Sequence, residues 1–598
     1  MRVPILEWIR SYPLRYLGAD VLAGVVVAAL AMPQALGYSG IAGVPVLVGL
    51  YSIPLALIGY AIFGSSPRLV VGPVSTVSVL SGSLIADLAK GDPAKAVAYT
   101  SALALSAGVV LIVGGLLKLG WAAEFMSRPI VTGFVFGLVL LIILGEIPSL
   151  LGMPPVSGDV FSKVWEIIGH IAAGDIKPLT AVIGLSSLAI LFVGARFAPR
   201  IPWGLLVLMG AIVTSNLLDL ASRGVVTVGA VPTGLPALAI PDVSLSELGP
   251  VVTGGIALAM VGLAEGVSAA RLLAARGGYT VDTDQELIAT GAANMGSGIF
   301  GGMGVAGSLS KTAAAERAGS KSQITGVAAA AIVILALIAL AGALSPLPRC
   351  VLSAIVIQAV WGLMDVGAIR HYRDIRRNDF TSSLAALLGV LLFGPLYGLL
   401  AAIGLAVLGL VYRSSRIDME IMGKVPEEKA AWGSIRGHPE RKTYDGILVI
   451  RLDAPLFWAN ATQIADGVLA EAAETPDLEA VLLDLEATSQ LDTTSVDALE
   501  LIRTRLEQQG VALYLVRVFY SARQVLKRSG FMDELGEGRM WHSISAGARA
   551  ARREFGIEGK SHPQEIDDDE TSEDDRIAAD DESSGYVDPD ETRKWWQK

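Results

Sequence analysis

The chain has 598 residues, of which 53% carry hydrophobic side chains and only 17% are charged, with a formal net charge of −11. A soluble enzyme has about a quarter of its residues charged, so that class is excluded at the outset. Residues 561–598 hold 14 Asp or Glu against 4 Lys or Arg, so nearly all the excess acid lies in this tail and the rest of the chain is close to neutral. No basic footprint for nucleic acid remains. The single cysteine, Cys350, excludes a disulfide framework, and the 5 histidines lack metal-ligand spacing, so no metal site is expected.

Residues 1–20 place Arg2, Arg10 and Arg15 among Ile5, Trp8, Ile9, Tyr12 and Tyr16 without a small-residue cleavage site, which predicts a cytoplasmic interfacial helix and not a signal peptide. Apolar runs of membrane-spanning length then continue to about residue 412, including residues 102–117, 129–144, 179–195, 327–344 and 385–412. The last run is long enough for two packed crossings around Gly389, Gly394 and Gly398. Every second connection is basic, from Arg68 through Lys118 and Arg128, Arg196 and Arg200, Arg271 and Arg276, Arg317 and Lys321, Arg370 to Arg377, to Arg413 and Arg416. Cationic loops stay cytoplasmic, so about fourteen segments with both termini in the cytoplasm are expected. Residues 21–415 are thus read as a membrane domain and residues 416–442 as a linker. Residues 443–557 alternate strand-like runs such as Ile447-Leu448-Val449-Ile450 with helix-like ones, which predicts a small α/β domain. Residues 558–598, rich in Asp, Glu and Ser, are expected to be disordered.

Three places break the apolar pattern of the membrane domain, each at a cost in free energy. At Pro33 a proline interrupts the first span, and Gln34 and Tyr38 fall one turn apart on one face. Gly72-Pro73-Val74-Ser75-Thr76 and Gly307-Ser308-Leu309-Ser310-Lys311 both read as helix starts, with a backbone breaker followed by hydroxyl residues able to cap free N–H groups. One such break is an ordinary kink. Two short, interrupted segments in matching positions, the second carrying Lys311, point to an inverted-repeat transporter whose opposed helix N-termini hold an anion near the midplane. Gly302-x-Gly304-x-x-Gly307 also matches a dinucleotide fingerprint, but without a soluble strand before it the run reads as backbone leading into the half-helix. Glu265 is an isolated carboxyl in an apolar span and is read as a group that exchanges a proton, the competing reading being a structural pair with Lys311. Asp282, Asp284 and Glu286 are assigned to the cytoplasmic rim in capping or solvated roles.

The motifs Asp20-Val21-Leu22-Ala23-Gly24, Pro33-Gln34-Ala35, Gly49-Leu50-Tyr51, Val71-Gly72-Pro73, Gly278-Tyr279-x-Val281-Asp282 and Gly307-Ser308-Leu309-Ser310-Lys311-Thr312 together closely resemble the SulP (sulfate permease) family of anion transporters. Asp453-Ala454-Pro455-Leu456-Phe457-Trp458 and residues 511–517 resemble that family's STAS domain. The resemblance implies a seven-plus-seven inverted repeat, divided into core and gate domains, in a homodimer of the cell inner membrane. It implies anion-site positions at Gln34, Tyr38, Val74, Ser75, Thr76, Ser308, Leu309, Ser310 and Lys311. Where the family usually has Arg, this chain has Lys311, a point charge without the bidentate fork. Asp492-Thr493-Thr494-Ser495 matches the turn phosphorylated in soluble STAS relatives, with Thr493 at the modified position; helix capping by Thr493 or Thr494 is the favoured reading. The function expected is proton-coupled import of a small anion, sulfate favoured, by an elevator-like movement, with no cofactor beyond the co-transported H+. Sodium-coupled bicarbonate or dicarboxylate transport is the first alternative, and an uncoupled channel or STAS-based signalling scaffold the second.

Overall fold

The computed structural model describes residues 3–557 apart from 90–91, 122–127, 157, 199–200, 230–233, 237–240, 340, 417–418, 427, 429–430 and 537. The expected acidic tail, 558–598, lies outside the described residues. Two compact units are present, residues 1–406 and 407–598.

The first unit is helical. After α1 (Ile5–Trp8) come α2 (Leu17–Ile41), α3 (Val46–Tyr51), α4 (Pro54–Phe63), α5 (Ser75–Ala89), α6 (Pro93–Leu116), α7 (Arg128–Leu151), α8 (Val160–Ala173), α9 (Pro178–Phe197) and α10 (Trp203–Leu218). A second series follows with α11 (Leu248–Gly277), α12 (Thr283–Ile299), α13 (Leu309–Arg317), α14 (Ile324–Ala339), α15 (Arg349–Trp361), α16 (Val366–Ile375) and α17 (Arg377–Ser415). Among the described residues, 7 helical stretches are long and apolar enough to cross a membrane, and shorter apolar helices complete the set. The two series correspond in order. In each, the third membrane segment, α5 or α13, follows a two-residue strand, β1 (Val71–Gly72) or β2 (Ala306–Gly307), and an amphipathic helix, α8 or α16, follows the fifth. This is the seven-plus-seven repeat expected from the sequence, with α3 and α4 forming one span of 18 residues, Val46–Phe63.

Two local expectations are revised and a third is met. Residues 3–16 form only α1 and a 3₁₀ turn at Leu14–Tyr16, because Pro13 precedes that turn at ψ 115° and breaks the helix before α2 starts at Leu17. Pro33, expected to interrupt the first span, sits inside a continuous 25-residue α2; packed membrane helices hold such a proline in place. The run 385–412 does fold back on itself, bent where Gly394 takes φ 80° before Pro395, so that a Cβ on Gly398 would stand 2.5 Å from Val390 N. Only glycine permits both the left-handed bend and that approach.

The second unit is a six-stranded sheet in the order β4-β3-β5-β6-β7-β8, made of β3 (Met419–Lys424), β4 (Trp432–Ser434), β5 (Ile447–Leu452), β6 (Ala480–Asp484), β7 (Ala512–Val516) and β8 (Met540–Trp541). Strands β5 to β8 are parallel, and β3 and β4 are antiparallel additions at one side. The stretch 416–442, read as a linker, therefore supplies two strands of this sheet; Glu420 and the break to residue 432 conceal them in the sequence. Helices α18 (Ala461–Glu474), α19 (Thr493–Glu507), α20 (Tyr520–Arg528) and α21 (Phe531–Leu535) share one apolar core, and α22 (Ile544–Glu554) packs in the other.

Candidate functional site

The site is built where the two repeats meet. Strands β1 and β2 pair antiparallel in the register Val71↔Gly307 and Gly72↔Ala306. A Cβ on Gly307 would lie 2.8 Å from Gly266 Cα, so the crossing of α11 over β2 admits only glycine there. That crossing sets Glu265, one residue earlier on α11, beside the pair. The ladder is reinforced from both sides: Ser308 N donates to Val70 O at 2.9 Å and Val70 N donates to Thr312 Oγ1 at 2.9 Å. From α12, Asn294 Nδ2 donates to Val305 O at 2.8 Å while its Oδ1 accepts from Val305 N at 2.9 Å.

Two half-helices leave this ladder, α5 beginning at Ser75 and α13 at Leu309. Ser308 caps α13, accepting from Lys311 N at 3.5 Å, and its hydroxyl lies 3.3 Å from that of Ser310. The Lys311 side chain is only 2% exposed. Its ammonium donates to Pro73 O at 2.7 Å and to Ser308 Oγ at 3.4 Å, and stands 5.7 Å from the Tyr38 ring centroid. Lysine in hydrocarbon is tolerated here because a carbonyl, a hydroxyl and an aromatic face share its charge. It is thus anchored on the carbonyl just before the opposite half-helix, with the Glu265 carboxyl among the charges it faces. Half-buried Glu265 faces Thr76 and Lys311, and Tyr38 faces both Ser75 and Glu265.

Of the buried polar atoms without a hydrogen-bond partner among the described residues, two bear on the site. Gln34 Oε1 on α2 and Thr76 Oγ1 on α5 are buried and unbonded, and Thr76 is 2% exposed. Leaving such an atom dry costs about 1–3 kcal/mol, a cost that a bound ligand would relieve. Of the positions implied by the resemblance, Tyr38, Ser75, Ser308 and Lys311 are brought together and Thr76 faces Glu265; Gln34 lies one turn before Tyr38 on α2, Val74 is buried, and Leu309 and Ser310 are exposed. Asn294 and Thr312, which hold the ladder, escaped sequence reasoning; the only signal was an amide among the small residues of 289–298.

Away from the site, Asp282 caps α12, Asp284 Oδ1 accepts from Gly120 N at 2.8 Å, and buried Glu286 accepts from Tyr60 Oη at 2.8 Å and Ser65 N at 2.9 Å. Asp20, also unassigned from sequence, is buried and accepts from Lys321 N at 2.6 Å and Tyr12 Oη at 2.8 Å. In the second unit the cap of α19 is Asp492, accepting from Ser495 N at 2.8 Å, and not Thr493 or Thr494. Carboxylate is the stronger acceptor at that position, and Thr493 becomes the exposed first residue of the helix.

A helical body of two inverted repeats with half-helix ends converging between them, joined in the chain to a small α/β domain, defines a polytopic transport protein and not an enzyme. Residues 17–386 match the sulfate permease family and residues 438–546 the STAS domain. A "Probable sulfate transporter" of Mycobacterium tuberculosis (strain ATCC 25618 / H37Rv) is 32% identical over 548 residues, covering 91% of this chain and 97% of the relative. "Probable sulfate transporter 3.5" of Arabidopsis thaliana is 28% identical over 565 residues, covering 92% and 88%. The murine Solute Carrier 26 family member A9 anion transporter in its inward-facing state shares the fold with a TM-score of 0.86 at 21% identity, covering 92% of this chain and 94% of that one. The transmembrane domain of the cyanobacterium bicarbonate transporter BicA aligns at a TM-score of 0.58 and 23% identity, over 66% of this chain and 99% of that one. The chain belongs to the sulfate permease family, whose members carry small anions across membranes.

Proposed function

We propose that this protein imports sulfate together with protons across a bacterial-type inner membrane, with the anion seated between the N-termini of α5 and α13. The observation that carries the reading is the pair of half-helix ends held face to face by β1 and β2, with Lys311 between them and Gln34 Oε1 and Thr76 Oγ1 unsatisfied. Unpaired N–H groups and the positive helix ends favour a compact oxyanion, and the hydroxyls of Ser75, Thr76, Ser308 and Ser310 offer it donors. Thr76 would turn its hydrogen to the anion, and the Gln34 amide would offer its Nε2. Glu265, facing Lys311 and Thr76, would take the coupling proton, so that the loaded site carries less net charge through the hydrocarbon.

Movement would be elevator-like, the core (α2–α6 and α11–α14) sliding against the gate (α7, α9, α10, α15 and α17). An apolar seam supports this: Val139 and Ile142 of α7 and Val356 and Val360 of α15 pack against Ile41 and Val79 of the core. The working form proposed is a homodimer with both termini cytoplasmic, in keeping with the alternating basic connections. Relatives named as sulfate transporters favour sulfate as the cargo. The test is uptake by purified protein in liposomes under imposed pH or sodium gradients. Glu265→Gln should abolish uptake driven by a proton gradient while leaving anion exchange largely intact. Unchanged acid-stimulated accumulation in that variant would refute the assignment, and uptake that requires sodium at constant pH would replace proton with sodium coupling.

A further inference from the structure

The amphipathic helices α8 and α16 hold corresponding places in the two repeats but differ in chemistry. α8 exposes Phe161 (65%), Trp165 (77%) and Ile168 (53%), with Lys163 as its one Lys or Arg. An apolar face turned outward is what a helix lying in the membrane interface presents. α16, capped by Asp365, which accepts from Ala368 N at 2.8 Å, is fixed to the gate where Tyr372 Oη lies 3.2 Å from Thr132 Oγ1 of α7. Its half-buried side carries Ala368, Ile369 and Tyr372, and on the other side Arg370, His371 and Arg373 are exposed, followed by exposed Arg376 and Arg377. Asp374 occupies Arg373 at 3.2 Å, while among the described residues Arg370, Arg376 and Arg377 have no carboxylate partner. Exposed Arg128 at the start of α7 adds another cation close to Thr132. The same stretch of chain exposes apolar side chains: Trp361 (51%) at the end of α15, and Val366 (45%) and Ile375 (70%) at the two ends of α16.

Three unpaired guanidinium groups beside exposed apolar side chains complement a surface that is anionic at the headgroup and hydrocarbon beneath it. Guanidinium grips phosphate in a bidentate fork, and each cation near an anionic leaflet adds to the attraction. We propose that α16, through Arg370, Arg376 and Arg377, binds the headgroups of anionic phospholipids, with Trp361, Val366 and Ile375 seated in the acyl layer. Bound lipid would fasten the gate helices α7 and α15 to one leaflet while the core slides past them. The site is independent of which anion is carried and of what drives it.

The experiment is binding of a fluorescent phosphatidylglycerol to the purified full-length protein in neutral detergent, with phosphatidylglycerol, phosphatidylcholine or millimolar inorganic phosphate as competitor. Unlabelled phosphatidylglycerol should displace the probe, and the other two should not. R370Q/R376Q/R377Q should weaken binding by about tenfold or more, while Lys163→Gln on α8 leaves it unchanged. Should the triple variant fail to fold, Arg376→Gln alone should lose about fivefold at the same detergent and salt. Undiminished binding in the arginine variants would overturn the proposal. Equal competition by phosphatidylcholine would do so too, and displacement by inorganic phosphate would mark a soluble-anion site instead of a lipid one.

Discussion

Gly37→Ala would place a methyl group in the seam between α2 and α15, where the core is proposed to slide. The new Cβ would stand 2.4 Å from Val356 Cγ2, 3.7 Å from Val356 Cβ and 3.8 Å from Leu352 O. Carbon atoms pack at about 3.5–4.0 Å, so the first contact is too short by more than an ångström while the other two are ordinary. Val356 is 2% exposed and β-branched, with little freedom to rotate away. Overpacking of this kind costs about 1–3 kcal/mol. Because one methyl causes the clash, Val356→Ala should relieve it. Alone it should cost about 1 kcal/mol as a small cavity, and in combination with Gly37→Ala it should recover most of what the first change loses. Thermal unfolding of the purified full-length protein reads the stability, and initial uptake rates in liposomes read the movement; both should fall in Gly37→Ala and recover in the double variant. Additive losses in the pair would show that the two residues do not meet, and a stable Gly37→Ala protein with normal uptake would show that the seam is looser than drawn here.

Three further outcomes follow from the same geometry. Lys311→Ala removes the ammonium held by Pro73 O and Ser308 Oγ; anion affinity should fall roughly 10- to 100-fold by the worth of a charge-assisted hydrogen bond, and a wild-type affinity in a competition assay would take Lys311 out of the site. Asn294→Leu removes both bonds to Val305 and should cost about 2–4 kcal/mol of stability with weakened anion binding, whereas loss of stability alone would make Asn294 purely structural. In the C-terminal unit, Asp492 is held below the usual carboxylate range by Ser495 and the Trp458 N–H against the opposing pull of partial burial, and Glu500 is lowered by its hydrogen bond to Arg503. Depressed carboxyls stabilise above their ordinary values near 4, so this unit should lose stability as pH falls through the depressed values. Asp492→Ala should cost about 1 kcal/mol at neutral pH and blunt the acid transition, measured by hydrogen exchange of α19 in the full chain.

The degree to which these features could be read in advance differs by element. Gly72-Pro73 and Gly307-Ser308 announced half-helix starts because backbone breakers in an apolar run are costly and local. The bend at Gly394-Pro395 was legible for the same reason. Pro33 misled, since whether a proline breaks a membrane helix depends on the neighbours that hold it. Strands β3 and β4 were passed over because two short strands with Glu420 and Lys424 among them carry no periodicity a window can detect, and their identity comes from hydrogen bonding to β5. Asp492 displaced the neighbouring threonines as cap because it is the extended residue just before α19, with φ −100° and ψ 174°, from which its carboxylate reaches Ser495 N.

Local chemistry in the sequence therefore determined the membrane character, the order of the segments, the small α/β domain and the two places where helices begin inside the apolar region. What it could not determine is which distant groups meet. Lys311 is 238 residues from the Pro73 carbonyl that anchors it, and Asn294 reaches β2 from a different helix. The register Val71↔Gly307 that brings the half-helices face to face, and the close crossing at Gly266 that sets Glu265 beside them, exist only because the two repeats pack against each other. An anion site of this kind is made of helix ends, and helix ends become a site only when tertiary structure aims two of them at one point.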